Sequence, residues 1–497
     1  MRFLGFEFKR SAEPVKHKRS FDAAKVNRLT RSWLGTANTI DMELRTDLDR
    51  LRARSRDMAN NNDYIRRFLR MVERNVAGHS GFILQARSND FGKPDSLANA
   101  AIEKAFYLWA RKGSCEVSGK LGFADVQRNL CKAIARDGEA LVRKVRGTQS
   151  GNDYGFALQL LDVSRLATMV NRNPTNGQNA IIMGVEINEF HRPIAYHLHE
   201  QAPGGSQGQG KILRIPADDI VHLYLPEHAE QTRGIPWAHS AMLRLHNLKG
   251  YEEAAVIASR VGAAKMGFFT TPDGSPAGLA DGQDDAGEFM ADAEAGTFGV
   301  LPQGYQFQSF NPDYPQNQYG AFVKSCLRGI ASGMDISYNS LANDLEGVNY
   351  SSLRSGALEE RDQWMTVQNW FAEAFLTPLF EEWLKLALLN QKVVMPNGSA
   401  IPLAKFDKFR EHIWQGRRWA WVDPMKDIEA ARLAVQSGVS SPQQIAAQMG
   451  MDIEDVLDSI SAFEQMVKDK NVSVVSYASG NQQQPTKSDA PDVTALP

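Results

Sequence analysis

The sequence predicts a helix-rich α+β protein built from several units, and three observations carry that expectation. Apolar residues recur at helical spacing in most of the long windows. Residues 139–225 switch to short runs split by Gly, Pro and Asn clusters, a β-rich module. Two long helical windows bracket residues 266–323, which hold no Lys or Arg and eight acids. At 497 residues the chain is also too long for one simple core.

Residues 1–56 are weakly periodic and predict a basic arm with short helices; residues 1–87 hold 19 Lys/Arg against 10 Asp/Glu. From Asp57 to Val76, Met58, Ile65, Phe68, Leu69 and Val72 mark one helix face, ended by Gly78 and Gly81. Phe82–Arg87 reads as a strand. Ser96–Lys112 reads as a helix with Ile102, Ala105, Phe106 and Trp109 on one face, and Phe123–Asp137 as another, stopped by Gly138. Short strands follow at Ala140–Val145, Phe156–Leu161, Ile181–Ile187, Ile194–His199, Lys211–Ile215 and Ile220–Leu225. Pro236 suits a first helical position, and Leu243, Leu245, Leu248, Ala255 and Val261 support a helix to about Met266, roughly 45 Å long. The acidic, Gly- and Pro-rich segment comes next, then a helix from about Gln318 to Gly333.

Asn339–Ser352 is polar and predicts a loop. Leu353–Leu389 predicts a long helix with Trp364, Val367, Trp370, Phe371 and Phe375 inward and a kink at Pro378. Helix starts stand at Asp423-Pro424, Ser441-Pro442 and Asp452. Residues 471–497 have the composition of a disordered tail.

Composition excludes several classes. No apolar run reaches the roughly 18–20 residues that span a bilayer, and Met1-Arg-Phe-Leu-Gly is not followed by a signal-peptide core. Cys115, Cys131 and Cys326 are odd in number and far apart, so neither a disulfide framework nor a thiolate metal site is expected, and a reducing cytoplasm is. A net charge of −2 argues against a tight general DNA binder, which draws affinity from Lys and Arg.

Three motifs suggest chemistry and fail on their context. Gly205-Ser-Gln-Gly-Gln-Gly-Lys-Ile212 nearly matches a phosphate-binding loop, but Ile212 lacks the hydroxyl that Mg²⁺ needs, and a strand rather than a helix follows. His191, His197 and His199 cluster without a zinc-binding motif or a cysteine partner, which leaves strand-surface histidines. Residues 441–456 have the cadence of a helix-turn-helix, yet the reading helix would carry Glu454, Asp455 and Asp458 against phosphates. No catalytic constellation stands out, so no cofactor or metal is expected. Two alternatives stay open: a metal-dependent DNA-processing enzyme, and a helix-turn-helix DNA-binding protein.

Several blocks, in order, resemble the lambda-type family of phage portal proteins. They are Arg54-Ser-Arg-Asp-Met-Ala-Asn-Asn-Asn-Asp63; Ile220-Val-His-Leu-Tyr224 leading to Gln231-Thr-Arg-Gly-Ile-Pro-Trp237; Leu327-Arg-Gly-Ile-Ala331 through Asn349-Tyr-Ser-Ser-Leu-Arg354; and Trp419-Ala-Trp-Val-Asp-Pro-Met-Lys-Asp427, then Met449-Gly-Met-Asp452. Together they cover about Arg52 to Val467.

The resemblance implies a non-enzymatic virion protein, a ring normally of twelve subunits at one capsid vertex, assembled in the host bacterial cytoplasm. Its channel passes double-stranded DNA without sequence preference. The implied partners are other copies of the chain, the terminase, the major capsid or scaffold protein, and a head-completion or connector protein, with no membrane. The implied fold has a wing, stem, clip and crown around a central channel. By position, the arm is 1–56, the wing 57–235, the first stem helix 236–266, the clip 267–317, the second stem helix 318–335 and the tunnel loop 336–352. A long kinked helix and wing–crown connection is 353–422, the crown 423–470 and the tail 471–497. The tunnel loop would turn Asn343, Asp344, Glu346, Asn349, Tyr350, Ser351 and Ser352 towards DNA, with Arg354 at its end. The clip acids Asp281, Asp284, Asp285, Glu288, Asp292 and Glu294 would form a negative collar that docks a basic partner surface.

Overall fold

The computed structural model describes residues 38–175, 177–202, 210–263, 267–270, 306–309, 319–346, 349–419, 424–449 and 451–470, with Arg28 and the strand pieces Arg2–Phe3 and Phe6–Glu7. It is a helix-rich α+β structure in which every paired strand among the described residues is antiparallel.

The chain departs from expectation at once. In place of an arm of short helices, α1 runs from Ile40 to Asn61 and packs its Leu44, Leu48, Arg52 and Ser55 inward. It stops where Asn62 turns extended (φ −129°), and the Asn62 side chain then accepts from the Ile65 amide, capping α2, Asp63–Val72. A π turn, Glu73–Ala77, carries α2 to Gly78. The strand β1, Ile83–Ala86, and the helices α3, Ser96–Trp109, and α4, Phe123–Asp137, follow.

The strands of the next stretch are β2 (Glu139–Arg146), β3 (Phe156–Leu161), β4 (Ala180–Ile182), β5 (Val185–Ile187), β6 (Pro193–His199), β7 (Ile212–Pro216) and β8 (Ile220–Tyr224). The single strand expected over Ile181–Ile187 is a hairpin instead, because Met183 (φ 46°) and Gly184 (φ 85°) turn the chain between β4 and β5. Two sheets result, ordered β7-β6-β5-β4 and β8-β2-β3. They enclose a small core of Leu141, Val163, Val185, Ile187, Tyr196, Leu198 and Ile220.

Helix α5, His239–Ala263, and strand β9, Gly267–Thr270, lead away; strand β10, Gln306–Ser309, pairs with β9, and helix α6, Tyr319–Gly333, returns along α5. Tyr251 stacks on Tyr319 at 5.8 Å and meets Phe322 at 4.7 Å, fixing the register of the two helices. Helix α7 is Tyr338–Ala342 and α8 is Tyr350–Phe371. The predicted loop Asn339–Ser352 therefore holds most of a short helix and the start of a long one. The long helix does not run straight to Leu389. A π turn, Ala372–Leu376, joins α8 to α9, Thr377–Leu389, whose first turn tolerates Pro378 and its missing N–H.

The main core is aromatic. Phe106 of α3 meets Trp383 edge-on at 5.0 Å and Phe123 at 5.5 Å, and Trp109 donates its ring N–H to the Phe156 carbonyl at 2.8 Å. Such pairs add about 0.5–1.5 kcal/mol each beyond their buried area. Strand β11, His412–Gln415, pairs with β1 and closes this core. The last helices are α10 (Pro424–Gln436), α11 (Pro442–Gln448) and α12 (Ile453–Asp469). Ser441 and Gln444 cap α11 reciprocally. No helix among the described residues is long and apolar enough to cross a membrane.

Candidate functional site

The predicted DNA-facing residues gather around α7, and one carboxylate organises them. Ser337 caps α7 through its hydroxyl, which the Ser340 amide meets at 3.2 Å. Both hydroxyls then donate to Glu360 Oε2 on α8, at 2.7 and 2.8 Å, while Trp364 donates its ring N–H to Oε1 at 3.2 Å. From the other side Arg67 Nε of α2 donates to the Ser340 carbonyl at 2.6 Å. A five-residue helix of polar composition is thus held by groups distant in sequence, a signal that local periodicity does not contain.

Asn343 ends α7 in the left-handed region (φ 56°), and its Oδ1 accepts from Arg67 at 3.3 Å. Asp344 accepts from the Tyr338 hydroxyl at 2.7 Å and from the Glu346 amide at 3.0 Å, and pairs with Lys324 of α6 at 3.1 Å. Those bonds, the Tyr338 hydroxyl first, pull the Asp344 carboxyl down to about 2. Glu346 is 86% exposed and Asn349 is exposed. Tyr350, Ser351 and Ser352 form the first turn of α8. Arg354 points elsewhere, pairing with Asp427 of α10 at 2.7 Å. Hence Asn343, Asp344 and Glu346 share one site, Arg354 serves the α8–α10 contact, and Asp344 is tied inward. Asp281, Asp284, Asp285, Glu288, Asp292 and Glu294 lie outside the described residues.

The Gln231-Thr-Arg-Gly motif has a structural explanation. Arg233 is fully buried, donates to both Glu139 oxygens, and reaches the Met183 carbonyl at 2.6 Å. Arg52 Nη2 lies 2.7 Å from the same carboxylate and His222 Nε2 2.8 Å. Burial pushes the Glu139 carboxyl up, but Arg233, His222 and Arg52 outweigh it and hold the group well below its ordinary range. Gly234 is required beside them, since a Cβ there would stand 2.1 Å from the Gly138 carbonyl oxygen. This cluster locks α1, β2, β8 and the loop before α5 together.

The other motifs resolve as follows. Residues 203–209 of the glycine-rich run fall outside the described residues, and Ile212–Pro216 is β7, a strand where a phosphate loop needs a helix. His197 Nε2 lies 3.4 Å from Glu186, which Arg214 also holds at 2.7 Å, and among the described residues no group of three or more His, Cys, Asp or Glu could hold a metal ion. Asp452, at the start of the would-be reading helix α12, is bound by Arg87 at 2.7 Å, so that helix end is docked on the body rather than presented.

Comparison with known proteins places this assembly of long helices, sheets and a clamped polar segment among phage portal proteins. Residues 26–368 match the family model described as phage portal protein, lambda family. The chain belongs to that family. It is 34% identical to the probable portal protein of Halomonas phage phiHAP-1 over 90% of this chain and 88% of that protein. It is 23% identical to portal protein B of Escherichia phage lambda over 86% of this chain and 85% of that one. A chain in the neck of an empty GTA particle is 14% identical, with a TM-score of 0.43, over 82% of this chain and 93% of that chain.

Proposed function

We propose that the chain is the subunit of a ring, normally of twelve copies, at one vertex of the capsid, through which DNA is packaged and ejected. Family membership over residues 26–368 is the observation that carries the reading. The antiparallel pair α5 and α6 supports it physically: two helices with 55 residues between Ala263 and Tyr319 suit a stem with an excursion at its end. In that assignment residues 57–235 belong to the wing, 236–266 and 318–335 to the stem, 267–317 to the clip, 336–352 to the tunnel segment and 423–470 to the crown. Helix α1, most of which falls in the stretch 1–56 assigned to the arm, buries Leu48 and bonds Glu139 through Arg52.

The role is that of a conduit and docking platform rather than a catalyst. The clip acids meet a basic surface on the terminase or a head-completion protein, and the wing faces the capsid or scaffold protein. Asn343, Glu346 and Asn349 are the tunnel residues offered to DNA, while Asp344 and Arg354 hold the segment in place. Assembly takes place in the host bacterial cytoplasm. Native mass spectrometry with negative-stain class averages tests the reading. Rings of about twelve 55.2 kDa chains with a central hole are expected. A monomer or dimer that persists across protein concentration and salt would overturn it.

A further inference from the structure

Beside the tunnel segment lies a cleft of about 380 Å³ whose lining includes Arg67, Arg74, Arg361, Arg417, Asn343 and Trp419. Guanidinium groups on α2, the π turn behind it, α8 and the chain after β11 converge there. Two of them are fixed in orientation. Arg361 and Arg417 sit over the Trp419 ring, 5.9 and 5.7 Å from its centre, and Arg417 also donates to the Arg74 carbonyl at 2.7 Å and to Asn75 Oδ1 at 2.8 Å. Arg67, Arg70 and Arg74 stand three and four residues apart on one exposed helix face, spanning about 10 Å at 1.5 Å per residue.

Two of the carboxylates around the cleft are engaged by other groups, and Asp63 and Glu73 flank the arginine row along the chain. Glu360 is spent on Ser337, Ser340 and Trp364, and Asp427 binds Arg354 while acting on Arg361. Burial first, and after it the neighbouring Arg74 and Arg361, pull the Arg417 guanidinium below its ordinary value. Keeping them converged costs free energy that an anionic ligand would return.

We propose that this cleft binds the phosphodiester backbone of double-stranded DNA, with Arg67, Arg70 and Arg74 running along it and Arg361 and Arg417 behind. The inference rests on the conduit reading of the chain. A row of anions suits the row of arginines better than one carboxylate, which would cancel a single charge, and DNA presents one charge per about 1.7 Å of its axis. A guanidinium held over an indole can still offer N–H groups to phosphate oxygens, although Arg417 commits Nη1 to the Arg74 carbonyl and Asn75. The cleft shares Asn343 with the tunnel segment, so DNA meeting that segment is within reach. Around a ring the arginines make a basic belt that draws DNA to a chain otherwise net negative.

The test is the salt dependence of binding of a fluorescent 30-base-pair duplex to the full-length assembled protein, by anisotropy. Log K falls with log salt by about 0.9 for each phosphate neutralised. The double variant R74Q/R361Q should lose about two in that slope, and R74K/R361K, which keeps the charges, should retain it. Exposed Arg192 lies far along β6's leading turn, and R192Q should leave the slope unchanged. An unaltered slope in R74Q/R361Q overturns the proposal. So does loss of the ring in that variant with undiminished DNA affinity of its subunits, because the cleft would then be meeting an acidic face of the neighbouring copy. An arginine-dependent slope in wild-type protein that forms no ring supports the cleft while removing the portal geometry.

Discussion

Arg233 and Glu139 face each other with neither side chain exposed to solvent, the guanidinium Nε 3.0 Å from both carboxylate oxygens and Nη2 2.5 Å from one. Removing one partner of such a pair strands the other charge inside the protein. Arg233→Ala should destabilise the chain by about 3–5 kcal/mol, read as a fall in the urea midpoint, whereas a change under 1 kcal/mol would mean the cluster is not a lock. Arg233→Lys should recover little, since one ammonium cannot replace the fork.

The same cluster sets an acid limit. Glu139 titrates below its ordinary value near 4.5 in the folded state, so its contribution is fully present above that pH and is lost as pH falls towards the folded value. Stability measured by urea melts from pH 6 to pH 3 should decline more steeply in wild type than in Glu139→Gln. Parallel curves would remove Glu139 as a cause.

Glu360 is the single acceptor for Ser337, Ser340 and Trp364. Glu360→Ala should loosen α7 by about 1–3 kcal/mol and speed hydrogen exchange over 337–344 while leaving α9 protected. Unchanged exchange there would show that Arg67 alone holds the segment.

Two glycines should respond in opposite directions. Gly234→Ala would drive a methyl into the Gly138 carbonyl and should abolish soluble expression or cut stability severely. Gly250, in the middle of α5 with nothing within 4 Å of an added Cβ, should gain about 0.5–1 kcal/mol as Ala. Thermal melts of both variants give the answer.

Thiol reactivity should single out Cys326. Burial pushes the Cys115 thiol up to about 12 and raises Cys131 as well, and both lack exposed surface. In the native chain a thiol-specific reagent should modify Cys326 first, with Cys115 and Cys131 reacting only after denaturant is added.

What could be read from the sequence follows from where each element gets its stability. Helix α4 carries its own apolar stripe, its capping Asp125 and its terminal Gly138, so its limits are those that periodicity predicts. Helix α1 was hidden because two of its inward positions are Arg52 and Ser55, whose partners are Glu139 and the Arg136 carbonyl far along the chain. Helix α7 was hidden because Glu360 and Arg67 supply what its own five residues lack. The arginine cleft is composite in the same way: Arg67 on α2 and Arg74 on the π turn after it supply two of its charges, but Arg361 and Arg417 arrive from elements about 290 and 340 positions later. Recognisable blocks such as Thr232-Arg-Gly were legible as words without their grammar, since the need for Arg233 and Gly234 appears only when β2 is laid against them.

The β1–β11 pairing sets a schedule as well as a shape. Gln85 and Gln415, which bond across that two-stranded sheet, are 330 positions apart. A ribosome must therefore have released most of the chain before the aromatic core receives its last strand. Closing so long a loop costs little more than closing a shorter one, because the entropy grows only logarithmically with length, but it delays the event. Until then Phe82, Trp414 and their neighbours lack a cover, and a half-made chain presents no finished wing to its siblings. A chain cut short before β11 leaves that core without its last strand, so truncated products should be less stable than the whole chain.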